Sequence, residues 1–199
     1  GLSAQAMRSA LPIVLALLLC LGFAVSGARA ADVAPPPAGL LWNKTGLPAV
    51  FPLQVKTLPG RDHVVTLIDA ETGKEALAAY IRGGAFFRVL VPPGVYRLRF
   101  ASGKHWQGEA LFFGEGPDTE VFELRRVLRF ETRGLGTKAG HIVDLRGRGT
   151  EAQITEQRIC QSFRPDFPRP IIRPREDRRA VGPDYEVPQR RDVRSRYCG

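Results

Sequence analysis

Methionine, cysteine and histidine are scarce in this chain: its 199 residues include one Met, at position 7, three Cys and three His. So few cysteines exclude a paired-cysteine zinc module and a disulfide-dense miniature scaffold. His63, His105 and His141 lie about 40 residues apart, with no i, i+4 pair among them and no Cys nearby, so no metal site and no cofactor is expected. A glycine-rich phosphate loop and a nucleophile elbow are also missing. The acids of Asp69-Ala70-Glu71 and Glu115-Gly116-Pro117-Asp118 stand in turn-like contexts, which use such residues without chemistry. No catalytic residue is assigned, and an enzyme is not expected. Only one long apolar run is present, which excludes a multi-span membrane protein.

That run is the clearest positive signal. Arg8 precedes an apolar stretch from Leu11 to Val25, and Ala28-Arg29-Ala30 offers the small-x-small pattern accepted by signal peptidase. The stretch falls short of the roughly 20 residues a spanning helix needs. Residues 1–30 therefore read as a cleaved signal peptide, with translation starting at Met7. Leu19, before Cys20, is not the small residue a lipoprotein peptidase wants, so no lipid anchor is expected. The expected location is periplasmic or secreted, with membrane contact only during export. Cleavage leaves Cys160 and Cys198, which in an exported chain pair most simply as a disulfide. The loop closed is about 40 residues, for which the chain-entropy model gives roughly 4 kcal/mol.

The rest divides into three parts. Residues 31–39 are a proline-rich linker, extended rather than folded. Residues 40–157 carry the hydrophobic pattern. Residues 158–199 form an Arg/Pro-rich tail, with ten arginines against six acids from position 160 onward. A segment of that composition buries too little surface to offset chain entropy, so it is expected to be disordered.

The middle part reads as β structure. Tyr96-Arg97-Leu98-Arg99-Phe100 alternates apolar and charged residues strictly, the period of a half-buried strand. Phe87, Val89 and Val91 alternate before Pro92-Pro93-Gly94, so 85–91 and 95–101 are expected to form a hairpin. Residues 63–69 are a β-branched strand. The stretch 75–82 suits a helical turn or a strand, and the regular spacing around it favours strand. Further strands are expected at 50–58, 109–113, 119–124, 127–132, 141–146 and 152–157. Seven to nine short strands with turns between them predict an all-β fold, an antiparallel β-sandwich.

The run from Phe87 to Leu98, with its Pro-Pro-Gly turn and following Tyr96, resembles the transthyretin-like or carboxypeptidase-regulatory β-sandwiches. The segment from Gly103 to Gly108, followed by Leu111-Phe112-Phe113-Gly114, resembles small bacterial exported proteins with a Gly-x-x-Trp-x-Gly motif. Both resemblances imply an accessory binding or structural module and no catalytic residue.

Two candidate sites follow. Lys104, His105 and Trp106 occupy a glycine-flanked connection, where an exposed Trp stacks a sugar ring and its polar neighbours bond the hydroxyls. The alternative is that Trp106 folds back as a lid on the core. In the tail, Arg164, Arg169, Arg173, Arg175, Arg178, Arg179, Arg190 and Arg191 would grip a polyanion through bidentate guanidinium contacts. The expected function is a non-catalytic exported binding or envelope-structural module. Its partner would be an envelope component or a periplasmic protein, with an anionic lipid or wall polymer as the polyanion. Nucleic acid is not expected.

Overall fold

Arg97 and Arg99 lie outside the sheet and Tyr96, Leu98 and Phe100 inside it, the last three at most 2% exposed. Both arginines pair with Glu123 at 3.3 and 3.4 Å, so the alternation in sequence is the alternation of one strand between water and core. The same logic builds the rest of a computed structural model that describes residues 33–147, 152–165 and 191–199. Residues 34–199 form a unit of their own. The expected signal peptide lies outside the described residues.

The fold is all-β, with no helix among the described residues. Eleven strands follow in chain order. They are β1 Gly39–Asn43, β2 Phe51–Lys56, β3 Asp62–Asp69, β4 Glu75–Ile81, β5 Phe87–Val91 and β6 Gly94–Gly103, then β7 Glu120–Glu123, β8 Leu128–Arg133, β9 Thr137–Asp144, β10 Gln153–Pro165 and β11 Arg191–Cys198. They form one connected sheet in the order β1-β4-β3-β6-β8-β9-β10-β11, with β2 joining β5 to β9 and β7 added to β6. β8 makes the connection: its first half pairs with β6 and its second half with β9. β5 approaches β1 and β4, so the curled sheet nearly closes on itself.

The apolar residues enclosed by this sheet come from nearly every strand, including Leu53, Leu67, Leu77, Phe87, Leu98, Phe130 and Val143. A second apolar cluster lies on the opposite face of β3, β4 and β6, where Val64, Ala78, Tyr80, Trp106 and Phe113 meet. The stretch 75–82 is therefore a strand covered on both faces. This removes its polar alternation and explains why its sequence also suits a helix.

Four expectations are corrected. The two strands flanking Pro92-Pro93-Gly94 exist but do not form a hairpin, because β5 pairs with β2 whereas β6 pairs with β3, β7 and β8. Two prolines offer no N–H to a hairpin ladder, and here they carry the chain from one half of the sheet to the other. Tyr96 fixes that crossing by donating its hydroxyl to the Pro93 carbonyl at 2.8 Å. Residues 109–113 are a turn instead of a strand: the Phe112 N–H donates back to Gly108 and the Gln107 N–H to Phe112. The sheet is mixed, since β2 runs parallel to β9. There Gly140 lets the strands approach, for a Cβ at this position would collide with the Pro52 carbonyl. Finally, the tail does not begin where the sheet ends. β10 runs on to Pro165 and pairs with β11, so 158–165 and 191–198 are ordered strand. Residues 166–190 lie outside the described residues.

Candidate functional site

The Arg/Pro-rich tail is the far end of a hairpin. β10 pairs with β9 over residues 153–160 and with β11 over 158–165. Cys160 and Cys198 form a disulfide across the β10–β11 ladder, with Cα atoms 5.9 Å apart. Cys160 stands opposite Arg196 and Cys198 opposite Arg158, so the bond crosses the ladder diagonally and fixes its register.

That register sorts the side chains by period two. Positions 158, 160, 162 and 164 share one face with 192, 194, 196 and 198. On it stand the exposed Arg158, Arg194 and Arg196, and the backbone places Arg164 and Asp192 at positions of the same face. The row continues across the sheet, because Arg196 is opposite Cys160, Cys160 opposite Thr137, and Thr137 opposite Arg133. Two acids beside this row have arginine partners: Arg133 donates to Glu156 at 2.6 Å, and Arg129 and Arg133 flank Glu131 at 4.0 and 3.6 Å.

The other face anchors the hairpin to the body. The Tyr197 ring lies 3.7 Å from the Arg88 guanidinium carbon. Arg88 Nη2 donates to Gln54 Oε1 at 3.1 Å, and Gln157 Nε2 donates to the same oxygen at 3.3 Å. Gln54 and Gln157 are both buried, and they sit on strands separated by β9, whose Gly140 carries no side chain between them. A cation over an aromatic face and a buried amide pair thus hold β11 and β10 against β2 and β5.

Of the polyanion residues expected from sequence, Arg164 and Arg191 fall in β10 and β11, on opposite faces of the ladder. Arg169, Arg173, Arg175, Arg178, Arg179 and Arg190 lie outside the described residues. Sequence reading missed Arg158, Arg194 and Arg196. The signal was present in Arg194 and Arg196 alternating with the uncharged Ser195 and Tyr197, but the segment's composition concealed it.

Trp106 takes the second of its two expected places, packed against the fold. Trp106 is 9% exposed; its ring meets Tyr80 edge-on at 5.1 Å and stacks on Phe112 at 6.0 Å. No free ring face is left for a sugar, and the ring lids the second apolar cluster. Lys104 and His105 are exposed beside it.

The three histidines stay on separate elements, and among the described residues no three His, Cys, Asp or Glu side chains gather for a metal. His141 Nε2 bonds the Arg129 carbonyl at 2.8 Å, and its ring meets Phe130 edge-on. His63 lines a cleft of about 450 Å³ with Ser102, Glu120, Phe122 and Leu145. Burial lowers His63 from its ordinary value, and among the described residues its Nδ1 has no hydrogen-bond partner. Arg61 and Glu120 at the cleft are 3.9 Å apart, an exposed pair of little energetic weight.

No family model, curated protein or solved structure matches the chain. What the site can do rests on its own geometry. A rigid ladder presenting guanidinium groups two residues apart offers parallel N–H forks at a spacing of about 7 Å, suited to phosphate or carboxylate groups repeated along a polymer or a surface.

Proposed function

We propose that this chain is an exported, non-catalytic β-domain that attaches to an anionic component of the cell envelope through the arginine face of its β10–β11 hairpin. The observation that carries the reading is the disulfide-locked register, which aligns Arg158, Arg194 and Arg196 on one exposed face. Guanidinium groups on a clamped ladder lose less freedom on binding than the same groups on an unstructured tail. Export is read from the apolar segment 11–25 and the Ala28-Arg29-Ala30 pattern, and a disulfide suits an oxidising compartment. The non-catalytic reading rests on a sequence without nucleophile or phosphate-loop motifs. The two halves of the sheet, with the enclosed core between them, are read as the leaves of a transthyretin-like sandwich that β8 joins at one side.

The test is co-sedimentation of residues 31–199 with isolated envelopes at low and high salt, beside an Arg158→Gln/Arg194→Gln/Arg196→Gln variant. Binding that salt releases and the variant loses is the expected result. Equal, salt-resistant binding of both proteins would place the contact elsewhere.

A further inference from the structure

Leu135 is fully exposed at the tip of the β8–β9 turn, between Gly134 and Gly136. A single exposed leucine needs no explanation by itself, but the position of this one is specific. Arg133, two residues before it, begins the row that crosses Thr137 and Cys160 to Arg196. The Gln161 N–H donates to the Gly136 carbonyl at 2.7 Å, which ties the tip to the β10 segment carrying the arginine face. Gly134 takes a φ of 60°, the left-handed backbone that glycine adopts without strain in a tight turn.

We infer that the anionic component is a lipid surface, with Leu135 entering the acyl boundary while Arg158, Arg194 and Arg196 meet headgroup phosphates. The inference rests on the attachment reading above and adds to it the nature of the surface. A soluble polymer would take the arginines alone and leave Leu135 in water. A bilayer takes both, since an aliphatic tip beside cations is the pattern of interfacial anchoring. The charge complementarity comes from the exposed guanidinium groups of Arg158, Arg194 and Arg196 on one face.

The experiment measures residues 31–199 against vesicles of three parts phosphatidylcholine to one part phosphatidylglycerol, against pure phosphatidylcholine, and against polyphosphate in solution. Leu135→Ser leaves a glycine-flanked polar turn that folds as before. The expected result is binding to the anionic vesicles that Leu135→Ser weakens about ten-fold, with polyphosphate affinity unchanged by that substitution. The triple arginine variant should lose both. Vesicle binding equal for wild type and Leu135→Ser, with the arginine variant still defective on polyphosphate, would overturn the lipid inference and leave attachment standing. Absence of binding to vesicles and polyphosphate alike would overturn both.

Discussion

Trp106 meets Tyr80, Phe112 and Phe113, with ring centroids 5.1, 6.0 and 5.7 Å away. Gly103 permits this: a Cβ there would stand 2.5 Å from the Cβ of Phe113, so the returning loop can lie directly on the end of β6. Tyr80 in turn donates its hydroxyl to Asp62, whose other oxygen accepts the Gly83 N–H at 2.9 Å. Trp106→Ala should therefore cost about 3–5 kcal/mol of unfolding free energy, read from urea denaturation; a loss under 1 kcal/mol would mean the ring is not a lid. The two half-buried histidines give a pH signature. Burial lowers both His63 and His141 from the ordinary 6.5, although the Arg129 carbonyl pulls His141 partly back. Each group is thus easier to protonate in the unfolded chain, so its share of stability is present above pH 6.5 and is lost as pH falls below it. Thermal melts between pH 7.5 and 5.5 should show a decline that a His63→Gln/His141→Gln variant flattens. At this scale the sequence offered both fates for Trp106. The deciding fact was the path of residues 107–114, set by backbone hydrogen bonds that no side-chain pattern records.

Several strands with one wet face were legible, though β1 and β11 were not expected. The Tyr96–Phe100 alternation survives intact in β6, and β3, β7 and β8 lie within a residue or two of their expected positions. Legibility faded in β4, where Ala78 and Tyr80 face one cluster while Leu77, Ala79 and Ile81 face the other. Pairing was harder to read than strand existence. Pro92-Pro93-Gly94 has the chemistry of a turn in either case, and only the pairing of β5 with β2, and of β6 with β3, β7 and β8, separates a crossover from a hairpin. The C-terminal hairpin escaped because its stability comes from outside its composition: the disulfide, the Arg88–Tyr197 contact and the Gln54–Gln157 pair. Removing the disulfide by Cys160→Ser/Cys198→Ser, a sequence separation of 38, should cost at most about 4 kcal/mol. Hydrogen exchange should concentrate that loss in 158–165 and 191–198. Unchanged protection there would show that the ladder holds without its clasp.

On the scale of the whole molecule, the enclosed core and the C-terminal hairpin are distinct parts of one sheet. The curled sheet buries the apolar side chains, and β9 and β10 extend it into the arm that carries the arginines. This separation predicts that attachment and stability respond to different substitutions. Trp106→Ala weakens the fold and leaves the arginine face intact, whereas the triple arginine variant does the reverse. The charge of the tail was legible in the sequence, but its geometry was not, because the register that gathers Arg158 with Arg194 and Arg196 joins residues more than thirty positions apart. The measurement that bears most directly on this account is the affinity of residues 31–199 for polyphosphate across a salt series, wild type beside Arg158→Gln/Arg194→Gln/Arg196→Gln. The account predicts a steep fall of log affinity with log salt for wild type and a slope shallower by about three for the variant. A slope identical in the two proteins, or an affinity indifferent to salt, would contradict it.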